Sequence, residues 1–174
     1  MNQKILLVID MQNDFITGAL GSKEAQAIVP SVVEMIRSWK GSVYATQDTH
    51  DDDYLSTPEG LKLPVEHCLY QTTGWEIHKD VDKALFEHAG SSHMWYKHQF
   101  ADIQLMHAIC AETPSELHII GLDTDICVVS NAIIARTIAP PMPIIVHASC
   151  CAGSTPENHE AALAVMRSCQ IDVV

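Results

Sequence analysis

Six short apolar, β-branched runs recur along the chain, and helix-length segments separate most of them. No other feature restricts the fold as much. The runs cover residues 5–9, 43–46, 94–96, 117–120, 144–146 and 171–174. Strands that are apolar on both faces belong in a mostly parallel sheet covered by helices on each side. Between the runs, residues 22–39 carry Ile28, Val32, Ile36 and Trp39 at helical spacing, with Pro30 as the point where a helix would restart. Residues 81–88, 103–111, 127–138 and 156–169 read as further helices. The last is capped by Thr155, with Pro156 at its first position and Glu157 in its first turn. The expected fold is an α/β three-layer sandwich with a mostly parallel central sheet.

A chain of 174 residues, 47% hydrophobic and 18% charged, suits one globular domain spanning residues 1–174. Ten Lys and Arg against 22 Asp and Glu give a net charge of -12, which repels phosphate backbones and anionic bilayers. Nucleic acid and membrane are therefore excluded as partners. No apolar run approaches the roughly 20 residues that span a bilayer, and the opening stretch is broken by Asp10 without a cleavage-site pattern, so the reading is cytoplasmic. The six cysteines form no C-x-x-C pair and read as reduced thiols. Residues 48–75 lack periodicity and are long for a passive connection, which marks them as a functional loop.

In open parallel sheets, ligands bind beyond the carboxyl ends of the strands, so polar residues that directly follow apolar runs are the first candidates. Asp10 ends the first run, Asp48 and His50 follow the second, Lys97 the third, and residues 123–127 the fourth. Cys127 falls at a strand-to-helix turn. There the helix dipole, unpaired amides and a nearby lysine favour thiolate. A buried structural cysteine is the alternative, and Cys150 and Cys151, which also follow an apolar run, compete for the role. Asp10 could carry protons or merely cap local amides, and Lys97 could be a snorkelling surface lysine. Together, an acid, a cation and a thiol at neighbouring strand ends would make a nucleophile, its proton carrier and its electrostatic support.

Asp48-Thr-His50 puts two potential ligands on one side of an extended segment, and Glu59 and His67 add further donors in the long loop. Two histidines and two carboxylates suit Zn, Fe or Mn with open positions. With ten histidines in the chain, a chance cluster is the competing explanation. Asp51, Asp52 and Asp53 read as a solvated acidic turn.

IDMQNDF, QDTH, P-x-x-HC followed by Gly74, Lys97 and GLDTDICVVSNA together resemble the isochorismatase-like cysteine hydrolases, in order and over nearly the whole chain. Within that superfamily the loop elements look most like those of nicotinamidases. The resemblance implies a catalytic triad of Asp10, Lys97 and Cys127, and metal ligands Asp48, His50 and His67 with Glu59 as the fourth. It implies an oxyanion hole of backbone N–H groups from Asp123 and Cys127, with a cis peptide between Asp123 and Thr124. It implies a ring-binding wall at Phe15, opposed by Leu63 where relatives carry an aromatic. Asp123 is a second departure, standing where relatives carry a small or apolar residue. The function so implied is metal-assisted cysteine amidase action on nicotinamide or a close heteroaromatic carboxamide, through a thioester, with a divalent metal such as Zn (or Fe or Mn), in a homo-oligomer. Two rivals remain open: the same triad acting on a carbamoyl or ureido amide or on isochorismate, and a non-enzymatic metal-binding or interaction domain.

Overall fold

The computed structural model describes residues 3–88, 90 and 92–174. Six parallel strands form one sheet: β1 (Lys4–Ile9), β2 (Ser42–Asp48), β3 (Ser92–Lys97), β4 (Glu116–Leu122), β5 (Ile144–Ala152) and β6 (Asp172–Val173), in the order β3-β2-β1-β4-β5-β6. Helix α1 (Asn13–Ile16) is a single turn after β1. The remaining α-helices are α2 (Lys23–Ser38), α3 (Lys79–Glu87), α4 (Ile103–Ala111), α5 (Val129–Ile138) and α6 (Pro156–Ser168). Alternating residues of the central strands supply two apolar cores. Ile5, Leu7 and Ile9 pack with α4, α5 and α6, while Leu6 and Val8 pack with α2 and α3. This is the expected three-layer sandwich with a parallel sheet.

Helix α2 starts where the Ser22 hydroxyl accepts a hydrogen bond from the Ala25 N–H, and it buries Ala25, Ile28, Val29, Val32 and Ile36. Each of the larger side chains contributes about 1.5–3 kcal/mol of apolar burial. Contrary to expectation, Pro30 does not restart the helix, which runs on unbroken. Pro30 and Gln26 both lie on the exposed side, where water can satisfy the carbonyl that proline leaves without a donor.

Two other expectations need correction. β3 is not buried on both faces: it is an edge strand, largely exposed, and only Lys97 at its end is buried. β5 extends through Ala152, so Cys150 and Cys151 sit inside the strand rather than beyond it. Between Ile119 and Gly121 of β4, the pairing on β5 jumps from Val146 to Cys151. That irregularity lets the polar stretch after Val146 stay in the strand. Gly121 is required there: its φ is +121°, and a Cβ would meet the Ile9 carbonyl oxygen at 2.1 Å.

The strand order reverses direction at β1, leaving a crevice between the carboxyl ends of β1 and β4. Asp10 follows one of these strands and residues 123–127 follow the other. The long loop folds over the same rim, tied down by a bridge from His50 to Leu69 and by hydrogen bonds of Gln12.

Candidate active site

Asp10 leaves β1 with φ +48°, a left-handed conformation that aspartate tolerates better than most side chains. Thr46 of β2 holds it there: its hydroxyl donates to Asp10 Oδ1 at 2.6 Å and accepts from the Asp10 N–H at 3.1 Å. Lys97, paired in register with Asp48 at the end of β3, extends back across the rim. Its Nζ lies 2.7 Å from Asp10 Oδ2, 3.1 Å from Asp48 Oδ1 and 3.5 Å from Cys127 Sγ. All four side chains are buried. Lys97 is therefore no snorkelling surface residue, and the acid, cation and thiol expected from three strand ends do meet.

Cys127 sits in a π-helical turn, Thr124–Val128, that leads into α5. The N–H groups of Ile126 and Val128 both donate to the Asp123 carbonyl, and the Asn131 side chain donates to the Cys127 carbonyl at 2.8 Å. Every peptide bond among the described residues is trans, so the cis bond expected at Asp123–Thr124 is absent. The trans form is the cheaper by about 3 kcal/mol.

The protonation pattern differs from a resting thiolate. Burial pushes the Cys127 thiol up, and Lys97 pulls it down without prevailing. Burial also raises Asp10 against the opposing pull of Lys97. Lys97 stays charged because the carboxylates of Asp10 and Asp48 outweigh its own desolvation. A neutral thiol beside a basic carboxylate, with a fixed cation between them, is the arrangement a general base needs. Cys150 and Cys151 have no such partners. They are buried on opposite faces of the sheet, one in each core, where cysteine serves as a small apolar side chain. All six cysteines are free.

Asp48 links this triad to a second cluster. Asp48, His50, Glu59 and His67 each offer one ligand atom, all within 4.8 Å of one another. His67 Nδ1 lies 2.8 Å from the Val65 carbonyl, which can only accept, so Nδ1 carries a hydrogen and Nε2 is the nitrogen left to face the cluster. His50 Nε2 lies 3.0 Å from Asp48 Oδ2, yet it is buried without a hydrogen bond of adequate geometry. Two imidazole nitrogens and two carboxylate oxygens gathered this closely fit a divalent cation, which would replace any proton on the rings. Burial opposes ionisation of Asp48, but Lys97 and His50 prevail and hold its carboxyl down at about 2, in the ligating form.

A cleft of about 480 Å³ is lined by Cys127 together with Asp48, His50, Glu59 and His67. Phe15 and Leu63 both line it. Phe15 is buried edge-on to the His67 ring, with 5.6 Å between centroids, and Leu63 is half-exposed at the rim. Several residues that shape the site were given no role from sequence: Thr46 on Asp10, Asn131 on the Cys127 carbonyl, His98 and Phe100 in the cleft, and Gln12. Gln12 exchanges two hydrogen bonds with the backbone of Asp48, at 2.9 and 2.7 Å. Its place in IDMQNDF was the only signal available.

Sheet order and site together define an α/β protein that gathers a thiol, a lysine and a carboxylate at the switch point of a parallel sheet. Residues 4–174 match the Isochorismatase domain, and the chain belongs to the isochorismatase family. Among curated proteins it is similar to a nicotinamidase of Schizosaccharomyces pombe, at 25% identity over 97% of this chain and 91% of that one. Among solved structures it resembles the nicotinamidase/pyrazinamidase of Bacillus subtilis, with 28% identity, a TM-score of 0.85 and 99% of both chains covered. It also resembles the N-carbamoylsarcosine amidase of Thermoplasma acidophilum, with 25% identity, a TM-score of 0.75, and 98% and 95% covered.

Proposed function

We propose that this hydrolase of amide bonds cleaves nicotinamide, or a close heteroaromatic carboxamide, to the acid and ammonia through a thioester on Cys127. The observation that carries the reading is the position of Lys97 Nζ, within 3.5 Å of the thiol and 2.7 Å of Asp10, beside a cleft that Cys127 lines together with all four members of the donor cluster. The likeness to the nicotinamidases of S. pombe and B. subtilis supports the substrate class.

In the forward direction, Asp10 takes the thiol proton as Sγ attacks the carbonyl carbon. Lys97 keeps the negative charge that develops on sulfur and on Asp10 from standing alone in a buried site. Backbone N–H groups of Asp123 and Cys127 receive the oxyanion. When the C–N bond breaks, Asp10 returns its proton to the departing nitrogen, which leaves as ammonia. Water then gives a proton to Asp10, attacks the thioester carbon and releases the acid and the free thiol. Asp48, His50, Glu59 and His67 would hold a divalent metal, with zinc as the ion best suited to an N2O2 set. When bound, it supplies a Lewis-acidic point that orients a ring nitrogen. Phe15 would pack against the ring, and Leu63 would close the other side less firmly than an aromatic residue.

A second reading keeps the triad and changes the substrate to a carbamoyl amide, favoured by the half-exposed Leu63 and by the likeness to the carbamoylsarcosine amidase. Ammonia release from nicotinamide, benzamide and a carbamoyl amide separates the two. Benzamide lacks the ring nitrogen, so kcat/KM for nicotinamide should exceed it by about a hundredfold, roughly 2.7 kcal/mol. Equal rates on the two rings, beside good activity on the carbamoyl compound, would favour the second reading.

A further inference from the structure

Each carboxylate around the nucleophile is engaged by another protein group, with one exception. Asp10 is held by Thr46 and Lys97, and Asp48 by Lys97 and His50. Asp125, in the same turn as Cys127, is turned toward the start of α6, where it accepts from the Ser154 N–H at 2.8 Å and the Ser154 hydroxyl at 2.6 Å. Asp123 is different. It is the first residue after β4 and lines the same cleft as Cys127. No group among the described residues donates a hydrogen bond to its carboxyl, and its charged neighbours are the acids Asp125 and Asp10.

A half-buried carboxyl with no protein partner, set near other acids on the wall of a substrate-sized cleft, is only partly hydrated, destabilises the fold when ionised and stays open to a ligand. Such groups are kept where a ligand completes them. Asp10 already serves the scissile nitrogen, which leaves the retained, acyl part of the substrate for Asp123 to meet. Resting on the amide-hydrolase reading above, we propose that Asp123 is a substrate-recognition residue that accepts a hydrogen bond from an N–H, or pairs with a cationic nitrogen, on the acyl portion. The cleft then prefers heteroaromatic carboxamides carrying an amino substituent over the unsubstituted rings. Burial, with Asp125 and Asp10 behind it, pushes the Asp123 carboxyl up to about 7, so it becomes a full acceptor above neutrality.

The test compares kcat/KM at pH 8 for nicotinamide and pyrazinamide with their positional amino isomers, using the metal-loaded enzyme. At least one amino isomer should exceed its parent by about tenfold or more, the size of one satisfied hydrogen bond to a charged group. That ratio should shrink in Asp123→Asn, which keeps the shape and loses the charge, and fall to about one in Asp123→Ala. Calorimetric titration of the same amides into Cys127→Ala should give the same ranking without turnover. If no amide releases ammonia, the amidase reading fails, while the binding ratio still decides the role of Asp123. No amino isomer bound or turned over better than its parent, or a preference that survives Asp123→Ala, would overturn the proposal.

Discussion

Replacing Lys97 by methionine should cost folding stability chiefly through the two carboxylates it leaves behind. Lys97 is fully buried, 2.7 Å from Asp10 and 3.1 Å from Asp48, and methionine fills much of its volume without its charge. Removing one partner of a buried pair typically costs about 3–5 kcal/mol, because the remaining charge stays desolvated. With two acids stranded, the upper end of that range is expected at pH 8, in EDTA so that no cation takes the place of the ammonium. The loss should depend on pH in a definite sense. In the native protein Lys97 helps hold Asp48 down at about 2, a contribution present above the ordinary carboxyl value of 3.8 and lost as pH falls toward 2. In Lys97→Met both carboxyls are raised, so the variant is penalised at high pH and recovers as pH falls and the acids take up protons. Urea unfolding at pH 8 and pH 5 measures this. The deficit should be smaller at pH 5 than at pH 8. A loss below about 1 kcal/mol, or one equal at the two pH values, would show that Lys97 does not balance these acids.

Cys127→Ala should lower kcat by at least about a thousandfold while leaving the far-UV spectrum and Tm nearly unchanged, whereas Cys150→Ala and Cys151→Ala should keep activity within several-fold. Metal analysis of Asp48→Ala and His67→Ala should show lost occupancy against about one divalent ion per chain in the parent, with affinity falling at acid pH as the ligands protonate. Asp123→Asn should stabilise the protein at pH 8. Because the folded carboxyl is raised from 3.8 to about 7, its ionisation destabilises the fold as pH climbs through that window. The gain, discounted for partial solvent contact, should be about 1–2 kcal/mol at pH 8 and close to zero at pH 4 in denaturant titrations.

Much of this architecture is legible in the sequence because burial on both faces leaves an uninterrupted apolar run, which β1 shows plainly and β4 shows apart from His118. The ends of elements are less visible. β5 continues through His147, Ser149 and two cysteines, a stretch that looks like a turn until β4 is beside it with its pairing shifted at Gly121. Pro30 looked like a break because sequence alone does not tell which side of α2 faces water. At the site, residue types and strand ends brought Asp10, Lys97 and Cys127 together, and the D-x-H pair pointed to the four-donor cluster. The resting state of the thiol did not follow. A helix terminus and a lysine favour the anion, but complete burial outweighs them, and burial is a property of the folded whole. Thr46 and Gln12 act through neighbours remote in sequence, and Asn131 through both the nearby Cys127 carbonyl and the distant Phe100 carbonyl, so their roles emerge from contacts rather than spacing.

The proposed amidase chemistry stands or falls on a covalent acyl intermediate at Cys127. Enzyme mixed with nicotinamide, quenched in acid within the first turnovers and digested for mass spectrometry should carry one nicotinoyl group on the peptide containing Cys127 and none on peptides containing Cys150 or Cys151. Ammonia released at full rate by Cys127→Ala, or an adduct found on a different cysteine, would contradict the account.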